Sequence, residues 1–387
     1  MSGSKKATPI GPLKIAYLPG SELIANAVDK YIVSTRKRHV ENDPELKDLS
    51  GYLEPTYITG FKTRCMGTGE RIIKLDNSVR GSDFYIIADV TNSNVTYQIA
   101  GRTNHMSPDN YFQDIKRIIS ATKGSTARTT VIMPFLYEGR QHKRTGRESL
   151  DCALALKELA AYDVSEIITF DAHDPSVQNA IPLKSFNNHM PTVQFVRALI
   201  KAVPDLTIDS DHLVVISPDE GAMFRAVYLA NLLGIDVGLF YKRRDYSTII
   251  NGKNPIVAHE YLGDDLTGKD AIVMDDMIAS GGSMLDVCRQ LKDKGARRVF
   301  ICTTFGLFTE GLEKFDKCYE DGLFHKLIST NLVYQSPELL KRPYYQTADM
   351  YKYLSDVIDT LNRNVSLHEI KGTTYKIQKI VEKETSK

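Results

Sequence analysis

The chain has 387 residues, 42% hydrophobic and 25% charged, an ordinary composition for a globular protein with room for two or three domains. A formal net charge of +1 removes any bulk electrostatic case for nucleic acid or a membrane surface as partner. No apolar run approaches a membrane span, the N-terminus has no signal-peptide core, and five scattered cysteines without a C-x-x-C pair read as reduced thiols, so a cytoplasmic protein is expected.

In chain order, "LKIAYLPGSELIANAVDKYI" gives a strand, a Pro-Gly turn with Ser21, and an amphipathic helix, followed by the charged surface segment "STRKRHVENDPELKDLSG". "GTGERIIKLDNSVRGSDFYIIADV" reads as two strands around a polar turn, with Phe84 to Ile87 apolar enough to be central. Asp114 to Thr122 belongs to a helix, and "RTTVIMPFLYE" is a buried strand ending at Pro134. The dense basic loop "GRQHKRTGRESL" follows, then a helix from about Ser149 to Ala161. The alternation continues through "SEIITFDAHD", a helix around Thr192 to Val203, "HLVVISPDEG", a helix around Met223 to Leu233, and "VGLFYKRR", which opens a long polar loop, Asp245 to Gly263. Strands alternating with helices predict an α/β fold with mainly parallel sheets. A strand, Pro-acidic turn and helix occur both at "IAYLPGSELIANAVDKYI" and at "VVISPDEGAMFRAVYLANLL", which suggests two similar domains with a seam between Pro182 and Pro191. The Lys-rich tail after Ser366 reads as frayed chain or a short helix and is assigned no chemistry.

The most informative stretch is "KDAIVMDDMIASGGSMLDVCRQLKDKG". Ala271 to Met274 has the look of a strand covered on both faces, and Asp275 and Asp276 follow at its end. Ala279, Ser280, Gly281, Gly282 and Ser283 then open a helix carrying Met284, Leu285, Val287, Cys288 and Leu291 at helical spacing, with Gly295 as its stop. Open α/β sheets bind ligands at the carboxyl ends of their strands, and a helix N-terminus entered through small residues exposes N–H groups to an anion. The pattern therefore predicts a phosphate site with two carboxylates beside it. Asp-Asp before Gly-Gly would alone be ordinary turn chemistry with a cap; the whole strand–loop–helix favours phosphate. Arg140, Gln141, His142, Lys143, Arg144 and Arg147 crowd the loop after another apolar strand. Asp171 and His173 alternate past a third, a pattern that can bind a hydrated Mg²⁺ indirectly or a phosphate directly. Asp219 stands in a turn ahead of a helix, where a cap is the plain alternative, and Lys242, Arg243 and Arg244 end a fourth strand.

Taken together these segments resemble the ribose-phosphate diphosphokinases, or PRPP synthetases, over roughly Lys14 to Val365. "GERIIKLDNSVRGSDFYII" is similar to a first-domain segment of that family, "YEGRQHKRTGRE" to its ATP loop, and "DAHDPSVQNAIP" to its Asp-x-His metal segment. "SPDEGAMFRA" resembles its sugar-side turn, "YKRR" its catalytic loop, and "VMDDMIASGGS" its PRPP signature, all in the family's order. The resemblance implies two phosphoribosyltransferase-like α/β domains, 12–185 on the ATP side and 186–343 on the ribose 5-phosphate side, then a C-terminal helix over 344–365 and the tail 366–387. It implies transfer of the β,γ-diphosphoryl group of MgATP to the C1 hydroxyl of ribose 5-phosphate, giving PRPP and AMP. Lys242 and Arg244 would be catalytic. Arg140, Gln141, Lys143 and His173 would hold ATP, with Glu70 reaching the adenine pocket of a neighbouring subunit, and Asp171 and His173 would position Mg²⁺. Asp219, Asp275 and Asp276 would face the sugar and Ala279, Ser280, Gly281, Gly282 and Ser283 its 5-phosphate. Self-association into a homodimer-based hexamer is implied as well.

The chain departs from the family where Met66-Gly67-Thr68-Gly69-Glu70 replaces Phe-Ser-Asp-Gly-Glu, where "QNAIPLKS" lacks further acids, at an extra residue near Gly139, at Ala279 in place of an aspartate, and in the longer 245–263 segment. These leave nucleotide choice, effectors and the sugar-phosphate acceptor open. A PRPP-consuming phosphoribosyltransferase would explain the Asp-Asp stretch but not the "GRQHKR" and Lys-x-Arg segments; a non-catalytic regulatory paralogue would be expected to lose them.

Overall fold

Short apolar runs that stop at turn or cap residues build this protein, each forming a strand or the buried stripe of a helix. The computed structural model describes residues 8–244 and 256–385. They form two units: one of residues up to Met190 with Asn331–Tyr334 and Met350–Lys371, the other of Pro191–Thr330, Gln335–Asp349 and Gly372 onward.

The first unit runs β1 (Leu13–Tyr17), α1 (Glu22–Asn42), β2 (Phe61–Cys65), β3 (Arg71–Leu75), β4 (Asp83–Ile87), β5 (Thr96–Ile99), β6 (Arg102–His105), α2 (Pro108–Thr122), β7 (Arg128–Ile132), α3 (Asp151–Ala161), β8 (Glu166–Phe170) and β9 (Ser185–His189). A five-stranded sheet has the order β1-β4-β7-β8-β9, and all its neighbours are parallel. β4 is buried throughout, as its unbroken apolar run requires. Helix α2 reaches back to Pro108 because Ser107 and Asn110 cap each other's backbone and Pro108 suits the first turn. Two antiparallel hairpins, β2–β3 and β5–β6, stand outside the sheet.

The second unit runs α4 (Thr192–Ala202), β10 (Leu213–Ser217), α5 (Met223–Leu233), β11 (Asp236–Arg244), β12 (Ile256–Leu262), β13 (Asp270–Ile278), α6 (Gly282–Asp293), β14 (Val299–Gly306), α7 (Glu313–Glu320), β15 (Lys326–Thr330), α8 (Pro337–Leu340) and β16 (Tyr345–Ala348). The chain closes with α9 (Tyr351–Asn362), α10 (His368–Lys371) and α11 (Thr373–Thr385). The sheet order is β12-β11-β10-β13-β14-β15-β16, parallel except for the antiparallel edge strand β12. The expected α/β class with two parallel-sheet units is thus what the chain adopts. No helix among the described residues is long and apolar enough to cross a membrane.

The structure sharpens four boundaries of the sequence reading. The division between the units falls at Met190/Pro191, inside the 182–191 span expected for the seam but beyond the 185/186 boundary, because polar Ser185–His189 hydrogen-bonds along β8 as an edge strand of the first unit. Residues 344–365 are not one helix: β16 completes the second sheet, while α9 packs in the first unit. There the buried Arg36, with Tyr52 and Tyr57 rings 4.7 Å from its guanidinium, donates to Asp359 Oδ1 at 2.7 Å and Asn362 Oδ1 at 2.5 Å. The tail forms α11, whose Ile377, Ile380 and Val381 lie at helical spacing against the apolar cluster that α4 and α5 build. Finally, the segment read as loop up to Gly263 includes strand β12; residues 245–255 lie outside the described set.

Candidate active site

Each unit gathers a set of polar residues beyond the carboxyl edge of its sheet. In the second unit, β13 runs past its apolar core, so Asp275 and Asp276 lie within the strand and not after it. Asp275 pairs in register with Thr303 of β14, and pairing continues to Ile278 opposite Gly306. Alternation turns the two carboxylates to different surroundings: Asp276 is buried and Asp275 half-buried. The Asp276 N–H donates to Asp275 Oδ1 at 2.9 Å. Burial first, then the negative charge of Asp276 and more distantly Asp219, lift the Asp275 carboxyl well above the ordinary aspartate value. Arg225, itself buried, brings a guanidinium nitrogen to 3.8 Å from Asp276 Oδ2.

The loop after β13 is short. Gly281 is buried at φ +83°, and a Cβ there would run into the Phe315 ring, so only glycine fits. Helix α6 starts at once, its first intrahelical bond running from the Leu285 N–H to the Gly281 carbonyl at 3.0 Å. The Gly282, Ser283 and Met284 N–H groups therefore belong to the open helix end, where an anion is favoured. Ala279 and Ser280 are half-buried beside it. Asp219 does serve as a cap: its Oδ1 accepts from the Gly221 and Ala222 N–H groups at 3.0 and 3.2 Å. Strand β11 pairs with β10 only as far as Leu239, so the backbone of Lys242 and Arg244 lies beyond that edge, opposite His259 and Ile256 of β12, with a register shift between Arg243 and Arg244. The side chains of Lys242 and Arg244 lie outside the described set.

In the first unit, Gly139 to Leu150 after β7 is an irregular loop in which Arg140, Gln141 and Lys143 are exposed and His142 is half-buried. Asp171 ends β8 fully buried, in the left-handed region at φ +40°, with its N–H bonded to the His189 carbonyl at 2.9 Å. Such a conformation is uncommon for a residue with a side chain and clusters at functional sites. His173 lies close by, its ring centroid 5.3 Å from that of His142. Glu70 sits apart at the exposed turn of the β2–β3 hairpin, where Thr68 Oγ1 donates to its Oε2 at 2.8 Å. Sequence reading assigned no role to Arg225 or Asp174, and named His142 only among the residues that crowd the basic loop. The signal for Arg225 was present, since it is the one charged residue of an otherwise apolar α5 and a buried arginine calls for a carboxylate.

Asp275 allows a direct check of this electrostatic picture. Because its folded pKa is raised, ionising it costs the native state: the stability it leaves intact below about pH 4 is lost as pH rises through the folded value. Asp275→Asn keeps the acceptor for the Asp276 N–H and removes that cost. The variant should melt above wild type at neutral pH, with the gap closing toward pH 4. A variant that melts lower at neutral pH would make Asp275 a structural anchor instead.

A parallel strand carrying an aspartate pair near its carboxyl end, a glycine-dependent loop and an open helix N-terminus make a place suited to a phosphorylated ligand. The comparisons agree: a model of the N-terminal domain of ribose phosphate pyrophosphokinase matches residues 23–162, and a phosphoribosyl transferase domain matches residues 182–330. Ribose-phosphate pyrophosphokinase of Corynebacterium efficiens is 30% identical over 301 residues, 76% of this chain and 83% of that protein; the Corynebacterium glutamicum protein of the same name is 28% identical over 301 residues. The chain belongs to the ribose-phosphate pyrophosphokinase family. In fold it is similar to phosphoribosylpyrophosphate synthetase from Mycobacterium smegmatis, whose crystal structure superposes with a TM-score of 0.69 at 21% identity over 91% of this chain and 99% of that one.

Proposed function

We propose that the protein is a ribose-phosphate diphosphokinase that moves the β,γ-diphosphoryl group of ATP to the C1 hydroxyl of ribose 5-phosphate, releasing AMP. The observation that carries this reading is the aspartate pair near the carboxyl end of β13, one short loop ahead of the open N-terminus of α6, a grip for a phosphorylated sugar. The C1 oxygen attacks the β-phosphorus, the bond from that phosphorus to the bridging α,β-oxygen breaks, AMP leaves, and the hydroxyl proton is lost. Little covalent work falls to the protein in such a transfer; positioning and charge stabilisation dominate.

In this reading the 5-phosphate lies on the N–H groups following Gly281, and Asp275 and Asp276 accept from the 2- and 3-hydroxyls, with Asp219 near the ring. Arg140, Gln141, Lys143 and His173 hold the triphosphate. Asp171 and His173 would position Mg²⁺. No group of three His, Cys, Asp or Glu able to hold a metal exists among the described residues. A single carboxylate, with the imidazole reaching through water, suits an ion that keeps several waters and takes its other oxygens from substrate phosphates. Once bound with ATP, the ion would neutralise charge on the phosphoryl oxygens.

Purified protein given ATP, Mg²⁺ and ribose 5-phosphate should release AMP in step with PRPP. AMP release only with another sugar phosphate would move the reading to a different acceptor. No AMP, with consumption of added PRPP and a base, would move it to a phosphoribosyltransferase.

Glu70 is taken to complete the adenine pocket of a second copy of the chain. Its hairpin is mostly exposed and carries Met66 and Ile72, 37% and 49% exposed, apolar surface that a neighbouring subunit would cover. A mixture of Glu70→Ala and Lys242→Ala chains, co-assembled, should regain activity that neither has alone, because some sites would then draw both intact residues. Mixed oligomers without recovery would place both lesions in one site.

A further inference from the structure

The loop after β7 and the Asp-x-His segment after β8 both carry residues assigned above to the nucleotide, yet neither segment is a regular element with a ladder to fix it. His142 joins them. Its neighbours Arg140, Gln141 and Lys143 are exposed, while its own side chain turns inward to 11% exposure, and its Nε2 comes to 3.4 Å from Asp174 Oδ2. Asp174 is fixed in turn: its Oδ1 accepts the Ser176 N–H at 2.8 Å and caps the short helical turn Pro175–Ala180. The His142 Nδ1 is buried without a hydrogen-bond partner. A ring held this way, at the cost of an unsatisfied nitrogen, calls for an explanation beyond packing.

We propose that His142 is a positioning residue for the nucleotide: its ring, facing the Asp174 carboxylate with Nε2 at 3.4 Å from Oδ2, clasps the 140–144 loop to the 171–174 segment. The clasp holds Arg140, Gln141 and Lys143 at a fixed spacing from Asp171 and His173, so the triphosphate meets a formed site. This rests on the reading of the two segments as the ATP site.

The test is a double-substitution cycle in the full chain, read as KM for ATP and for ribose 5-phosphate, with ATP affinity by calorimetry as a second measurement. His142→Ala should raise KM for ATP about ten-fold, within the range for coupled neighbouring side chains, and leave KM for ribose 5-phosphate within about two-fold. Asp174→Ala loses its cap as well, but that loss is common to the single and double variants and cancels in the cycle. The double variant should therefore bind ATP no worse than Asp174→Ala. His142→Gln, whose amide nitrogen reaches about as far as Nε2, should recover most of the affinity and covers the case in which the alanine variant does not fold. Additive losses, equal rises in KM for both substrates, or unchanged ATP affinity in His142→Ala each overturn the clasp while active wild type leaves the diphosphokinase reading standing. Wild-type protein that binds no ATP would overturn that reading and the clasp with it.

Discussion

Lys242→Ala is expected to lower kcat by roughly 10²–10³, the range for losing one preorganised donor to developing charge, with little change in KM for either substrate. The expectation starts from backbone geometry. β11 leaves its partner β10 at Leu239 and continues to Arg244 against β12 alone, which carries Lys242 past the sheet edge where ligands bind. The register shift between Arg243 and Arg244 is the kind of irregularity that re-aims residues beside active sites. Negative charge shifts onto the leaving AMP only as the β-phosphorus bond breaks, so a cation there acts on the transition state more than on binding. Steady-state kinetics decide it: a variant with wild-type kcat and a weakened KM would make Lys242 a binding residue only.

Asp276→Ala should cost ribose 5-phosphate about 1.5–3 kcal/mol in kcat/KM, the scale of a hydrogen bond to a charged group, and 2-deoxyribose 5-phosphate less. Of the two neighbouring aspartates, Asp276 is the one that faces a cation. Arg225 lies 3.8 Å from it, while burial and Asp276 itself push Asp275 toward its neutral form. An ionised carboxylate accepts and cannot donate, so it selects for hydroxyls, and a sugar already lacking one has less to lose. The measurement is kcat/KM for both sugars in wild type and variant. Equal losses would mean that Asp276 acts through the fold or through a bound ion, not by reading the diol.

The α/β class, the two sheets and the helix spacing of α6 were legible because they depend on local pattern. Met284, Leu285, Val287, Cys288 and Leu291 are all buried, as their spacing requires, and Gly295 stops the helix at φ +89°. Motif position carried the phosphate loop too, since only a glycine tolerates the conformation and the closeness of Phe315 at position 281. Edge strands were less legible. "SFNNH" and "YQTA" lack the apolar run of a central strand, and each is a strand because a sheet already formed offers it one row of hydrogen bonds.

By itself, then, the sequence determined which segments are strands and helices wherever burial is periodic, and which loops carry clustered basic and acidic side chains. Tertiary structure alone decided that β13 extends through both aspartates, because β14 runs on beside it as far as Gly306. It also decided that Arg225 faces Asp276, that His142 faces Asp174, and that α9 is held by Arg36, residues 323 positions from Asp359 along the chain. The reason is physical: periodicity reports the side of an element that leaves water, whereas the partner of a buried charge is chosen by whichever distant segment the fold brings within reach.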